Sequence, residues 1–111
     1  MTGKFEIYKD KGGEFRFRLN ASNGESILTS EGYQTKASCL SGVESVKKNA
    51  TNDAHFERKQ ASSGKYMFNL KATNGQVIGT SHLYEAEAAR NQGIFSVSED
   101  APGASVVDSV A

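Results

Sequence analysis

The chain of 111 residues has one cysteine, Cys39, so no intrachain disulfide can form. That fits a reducing compartment, and a cytoplasmic location is expected. Charge of one sign is also missing: thirteen Lys and Arg balance thirteen Asp and Glu, for a formal net charge of zero. No overall field draws such a chain onto nucleic acid or an anionic membrane, although a local basic patch is compatible with it. No stretch is long and apolar enough to span a bilayer. The opening MTGKFEIYKD enters a strand-like alternation at once and does not read as a secretory signal. The two histidines, His55 and His82, belong to no Cys/His cluster, so no metal site is expected. No G-x-x-x-x-G-K-[ST] phosphate loop occurs, and neither glycine turn opens directly into a helix. No cofactor is expected, no catalytic residue is assigned, and the motif content does not read as an enzyme.

What the chain does have is a unit of about fifty residues written twice. Residues 5–46 align without a gap to residues 56–97 at an offset of 51, with sixteen identities in forty-two positions. Asn23-Gly24 recurs as Asn74-Gly75, Thr29-Ser30 as Thr80-Ser81, and Tyr33 as Tyr84. One such unit alone would bury only about 60% of its unfolded surface, so two copies sharing a core are favoured over two independent beads. The expectation is a single domain, residues 1–111, built of repeats at about 4–54 and 55–111.

Each copy reads as three strands, a helix and a further strand. Phe5 and Ile7 alternate with polar neighbours, and Phe15, Phe17 and Leu19 alternate with Arg16, Arg18 and Asn20. Asn-Gly marks a hairpin. A three-residue loop, Ser22-Asn23-Gly24, with Gly24 left-handed in a bulge, pairs Leu19 with Ile27 and Leu70 with Ile78. A two-residue turn would instead pair Leu19 with Leu28 and leave Ile27 on the polar face. Thr35 suits an N-cap. Cys39, Leu40, Val43 and Val46 then share one side of a helix near 35–48, ending in Lys47 and Lys48. The second helix is placed near 85–95. Gly42 and Gly93, at matching mid-helix positions, call for a close approach of backbone to sheet. The run SVVDSV aligns with the segment after the first helix and is read as a strand. In the first copy that strand doubles as the opening of the second copy unless a bend splits it.

The run FRFRLNASNGESILTSEGYQTKASCLSGVESVKKNA and its second version FNLKATNGQVIGTSHLYEAEAARNQGIFSV resemble the YegP-like bacterial proteins, a family of unknown function. The resemblance covers nearly the whole chain, and L-x-A-x-N-G-x-x-I-x-T-S followed by Tyr carries it. It implies tandem repeats joined into one continuous, mostly antiparallel sheet. Both helices lie on one face, and the C-terminal strands are swapped between repeats. It also implies that single-repeat members build the same assembly as a dimer. No reaction is established for the family, so no functional residue is carried over. The chain departs from the pattern where FERKQ replaces FEIYK: Arg58 stands in place of Ile7, which suggests an edge strand or a register shift.

Two groups of residues are candidate sites. Thr29, Ser30 and Tyr33, with Thr80, Ser81 and Tyr84, are placed where the third strand of each copy leads into its helix. They could form paired polar sites for a small ligand or a peptide. The structural alternative, favoured on physical grounds, is that the hydroxyls satisfy turn and helix-end backbone groups while Tyr packs on the core edge. The outward sheet face, with Tyr8, Arg16, Arg18, Lys59 and Lys71, could hold single-stranded nucleic acid by stacking and phosphate contact. Its few aromatics, diluting Glu residues and zero net charge favour a solvated face instead.

The expected fold is therefore an α+β domain of two β-β-β-α-β repeats forming one sheet of seven or eight strands. Its core is expected to hold Phe5, Ile7, Phe15, Phe17, Leu19, Ile27, Val43 and Val46. From the second copy it takes Phe56, Tyr66, Phe68, Leu70, Ile78, Ile94 and Val97. The expected function is a non-enzymatic cytoplasmic binding or interaction module, acting as a monomer with an internal pseudo-dimer and no membrane partner. The alternatives are a weak single-stranded nucleic-acid binder and an enzyme at the Thr-Ser-Tyr positions. No partner, ligand or pathway is legible.

Overall fold

The alternating runs become strands and the Thr35 cap starts a helix in the computed structural model, which describes residues 3–110. In chain order the elements are β1 (Lys4–Lys9), β2 (Phe15–Asn20), β3 (Ser26–Thr29) and α1 (Lys36–Asn49). A 3-10 turn (Asp53–His55) leads into β4 (Phe56–Gln60), β5 (Tyr66–Lys71), β6 (Val77–Thr80), α2 (Glu87–Asp100) and β7 (Ser105–Asp108). The seven strands form one sheet in the order β4-β5-β6-β3-β2-β1-β7. Every pairing is antiparallel except β1 with β7, which is parallel. The repeats meet at the centre, where Thr29 pairs with Thr80.

The turn expected from Asn-Gly forms. The Ala21 N–H bonds the Glu25 carbonyl at 2.8 Å, Gly24 N–H bonds the Ala21 carbonyl at 2.8 Å, and Gly24 takes φ +87°. The register expected from it does not. Asn20 pairs with Ser26, but Leu19 pairs with Leu28, not Ile27, and Leu70 pairs with Gly79, not Ile78. A second bulge, at Ile27 and at Ile78, inserts one residue beyond each turn. Strict alternation would expose one of two consecutive apolar residues. The bulge resets it, so Ile27 and Leu28 are both buried.

Thr35 Oγ1 accepts from the Ser38 N–H at 3.1 Å and caps α1, while the equivalent Ala86 offers no side-chain cap to α2. Both helices cover the same sheet face. α1 packs on β2 and reaches across the repeat boundary to β5 and β6, and α2 packs on β5 and β3. Two expectations about them need correction. Leu40 is 40% exposed and points away from the stripe of Cys39, Val43 and Val46. The second helix runs on to Asp100, five residues past 95, because Val97 is buried and Ala101 closes the last turn onto its carbonyl. Gly42 makes the expected close approach, but to a side chain: a Cβ there would lie 2.5 Å from Tyr33 Oη and 3.0 Å from the Phe17 ring. Gly93 sits in the same way under Tyr84.

One buried cluster runs through both repeats, from Phe5, Phe17 and Leu19 to Phe68, Leu70 and Val97. It adds Leu28, which the expected register had not placed in the core, whereas Phe15 and Tyr66 are only half-buried at its margin. The strand after α1 is a single strand that also opens the second repeat: residues 53–55 form a 3-10 turn, and β4 runs from Phe56. The swap is therefore one-sided. β7 of the second repeat lies against β1 of the first, but among the described residues β4 ends the sheet with no strand outside it.

Candidate functional site

The loop after β3 shows how the repeated polar residues are used. Ser30 is buried, its Oγ accepts from the Phe17 N–H at 2.9 Å and donates to the Glu31 carbonyl at 2.8 Å. Ser81 repeats this with Phe68 and His82 at 3.0 and 2.8 Å. Each serine thus supplies the acceptor that a continued strand would have supplied. Tyr33 bridges to Phe15 through both backbone groups and stacks on Phe17 with ring centroids 6.3 Å apart. Tyr84 does the same with Tyr66 and Phe68. Burial pushes both phenols above their usual pKa, with help from Glu31 at Tyr33 and Glu25 at Tyr84. The serine and tyrosine members of the candidate set are held in architecture.

Thr29 and Thr80 are placed differently, although the Thr80 hydroxyl is itself engaged, donating to Asn69 Oδ1 at 2.9 Å. They stand at the middle of the sheet, opposite Arg18 and Asn69, on the face away from the helices. β3 and β6 pair only here, and a groove of about 500 Å³ opens around the junction. Thr29, Ser30, Thr80 and Ser81 line it; Tyr33 and Tyr84 do not. Arg16, Glu31 and His82 line it as well. Neither Glu31 nor His82 was legible as a site residue, and Arg16 was legible only as part of the sheet face. The one available signal was a difference: the groove is kept alike at Thr29/Thr80 and Ser30/Ser81. It differs at Glu31/His82 and Ser26/Val77, and Arg16 has Met67 as its counterpart. His82 also packs its ring 4.2 Å from that of Tyr84.

The outward-face candidates are brought onto one side of the sheet but not into one patch. Tyr8, Arg16 and Arg18 lie on β1 and β2, and Lys59 and Lys71 on β4 and β5, with β3 and β6 between them. β2 and β5 are three strand spacings apart, about 14 Å. Arg16 Nε is 2.6 Å from Asp10 Oδ2, Arg18 Nε is 3.4 Å from Glu6, and Lys71 Nζ is 3.1 Å from Glu57. The Arg18 guanidinium also lies 4.0 Å over the Tyr8 ring, covering the surface on which a base would stack. The hydrogen bond from Arg16 holds the Asp10 carboxyl below the usual range. Bonds from Asn69 and then Lys71 do the same for Glu57.

Cys39 is fully buried on α1, and that burial pushes its thiol pKa up. Among the described residues, no three His, Cys, Asp or Glu side chains are grouped to hold a metal ion. No helix among them is long and apolar enough to cross a membrane.

Comparison with known proteins adds family but no activity. The domain of unknown function DUF1508 matches residues 10–57 and again 61–108. A UPF0339 protein from the 5′ region of the ptx operon of Stutzerimonas stutzeri is 62% identical over 108 residues, 97% of each chain. The solution structure of the protein of unknown function yegP from E. coli has a TM-score of 0.95 at 44% identity, covering 100% of this chain and 96% of that one. A UPF0339 protein from Shewanella oneidensis, also solved in solution, has a TM-score of 0.93 at 43% identity, covering 99% and 93%.

Proposed function

The chain belongs to the DUF1508 family, and from that premise we propose that it is a non-enzymatic binding module whose ligand lies in the groove between its two repeats. The observation that carries this reading is the asymmetry of that groove. It straddles the internal pseudo-two-fold, where duplication would leave matching walls. Thr29 and Ser30 recur as Thr80 and Ser81, while Glu31 takes the place of His82, Ser26 that of Val77 and Leu28 that of Gly79. Thr29, Glu31 and His82 together offer hydroxyl, anionic and imidazole groups on an open surface. That set suits a small polar ligand with both donors and acceptors and no two-fold symmetry of its own. The ion pairs on the flanking strands weigh against the nucleic-acid alternative, and the occupied Ser30 and Ser81 hydroxyls weigh against a nucleophile there. The same reading takes residues 1–111 as one monomeric, cytoplasmic domain.

The test is a titration of ¹⁵N-labelled protein with a panel of metabolite-sized polar compounds. Binding that moves the amides of Thr29, Glu31, Thr80 and His82, that is lost in His82→Ala, and that returns the compound unchanged supports the reading. Shifts confined to β1, β2 and β5 with a single-stranded oligonucleotide at low salt would count against it. So would turnover of a bound compound.

A further inference from the structure

The internal symmetry of this fold is broken at the edges of the sheet, and the break leaves a vacant position. In the first repeat β1 is flanked by β2 on one side and β7 on the other. In the second repeat β4 is flanked, among the described residues, by β5 alone. The strand that would occupy the other side is the segment after α1, and that segment is already spent as the turn Asp53–His55 and as β4 itself. Lys4 to Ile7 pair with Ser105 to Asp108, and the Ile7 carbonyl accepts the Ser109 N–H at 2.9 Å. Arg58 occupies the position of Ile7 on β4. By the same pairing pattern its backbone groups face outward from the sheet edge.

The space beside this edge is not sealed. A groove of about 230 Å³ runs under it, lined by Phe56, Arg58, Asp53, Ile94 and Phe95. The matching region of the first repeat lies beside β7, where Val110 packs onto the core. Phe95 is 57% exposed, on a helix position that carries Glu44 in the first repeat. An aromatic ring left in water next to an unpaired strand edge is unexplained by the packing of this chain.

The charges identify what fits. On β1 the seated strand carries Asp108 opposite Ile7, and Asp108 is held by Lys36 Nζ at 2.6 Å. In the second repeat Lys36 is replaced by Glu87, which is engaged by Arg90 at 3.2 Å, and the cation appears on the strand as Arg58. Arg58 is paired at 3.0 Å with Asp53, whose side chain is largely exposed and displaceable. A strand added here in the manner of β7 would set its own acid opposite Arg58. A second copy added edge to edge would bring Arg58 of each chain together, which like-charge repulsion disfavours.

We propose that the free edge of β4 and the Phe95 groove beneath it form a docking site for an extended acidic peptide of a partner protein, added parallel to β4 as β7 is added to β1. The backbone edge supplies strand pairing, Phe56, Ile94 and Phe95 receive an apolar side chain, and Arg58 exchanges Asp53 for the carboxylate of the guest. This site is separate from the groove between the repeats, and neither reading depends on the other.

The experiment titrates ¹⁵N-labelled full-length protein with a synthetic peptide, ASVVDSV, the chain's own residues 104–110. The expected result is saturable shifts of the amides of Asp53, of residues 56–60 and of Phe95. Affinity should fall about fivefold or more with Arg58→Glu, and again with a peptide carrying Lys for Asp. Pairing Arg58→Glu with the Lys peptide should restore binding, which a misfolded variant could not do. Phe95→Ser, at an exposed position, should weaken binding without disturbing the spectrum elsewhere. No shifts at millimolar peptide would overturn the proposal. So would shifts on β1 in place of β4, equal binding by Arg58→Glu, or β4 shifts that follow protein concentration without peptide, which would indicate a second copy.

Discussion

Ser30 and Ser81 each replace a strand with a single hydroxyl. The Phe17 N–H lies in the buried sheet and has Ser30 Oγ as its acceptor, so removing that oxygen strands a donor out of water. Ser30→Ala should therefore cost about 1–3 kcal/mol of stability, read as a lower urea midpoint at unchanged slope. Ser81→Ala should cost a similar amount through Phe68. A neutral result for both would mean that the loop re-forms its bonds another way. At this scale the sequence singles these residues out, since Thr29, Ser30 and Tyr33 recur at the 51-residue offset. Recurrence does not distinguish a binding group from a structural one. Thr29 is set apart from Ser30 by strand alternation, which turns Ser30 into the core and Thr29 to the open face.

The C-terminal strand β7 is held less by burial than by pairing. All four of its residues are exposed, and its anchors are the parallel bonds to β1, the Lys36–Asp108 pair and Val110 on the core. The Asp108 carboxyl is held below its ordinary value of 3.8, first by the hydrogen bond from Lys36 and then by the Val110 N–H. Asp10 and Glu57 are lowered by their own bonds from Arg16 and Asn69. A carboxyl whose folded pKa is lowered contributes stability that is fully present above its unfolded value and is lost as pH falls through the folded one. Urea unfolding followed from about pH 7 down to pH 2 should thus be flat until the carboxylate range and then fall. Asp108→Asn should be less stable at neutral pH and should lose less on acidification. An unchanged acid limb in that variant would remove Asp108 from the account. The sequence identified β7 as a strand by its alignment with the segment after α1, and the family resemblance implied its exchange onto the other repeat; that only β1 receives such a strand was settled by the fold.

Across the whole molecule, one of the contacts between the two repeats is asymmetric. Leu28 is fully buried, and its counterpart Gly79 has no side chain. A Cβ on Gly79 would lie 2.7 Å from Leu28 Cδ2, so one repeat supplies the knob and the other the hole. Gly79→Leu should destabilise by about 1–3 kcal/mol through overpacking, and adding Leu28→Gly should recover part of that loss. Additive losses in the double variant would disprove the complementarity. Element order, the Gly24 turn and the strand character of residues 105–108 were determined by the sequence itself. They rest on periodicity between near neighbours and on an exact repeat offset, both of which are read along the chain. The tertiary structure alone decided the second bulge at Ile27, the one-sided swap of β7 onto β1, the open edge of β4 and the groove around Thr29 and Thr80. Each of these depends on residues far apart in the chain competing for the same buried space or the same unpaired backbone, and such competition leaves no period to read.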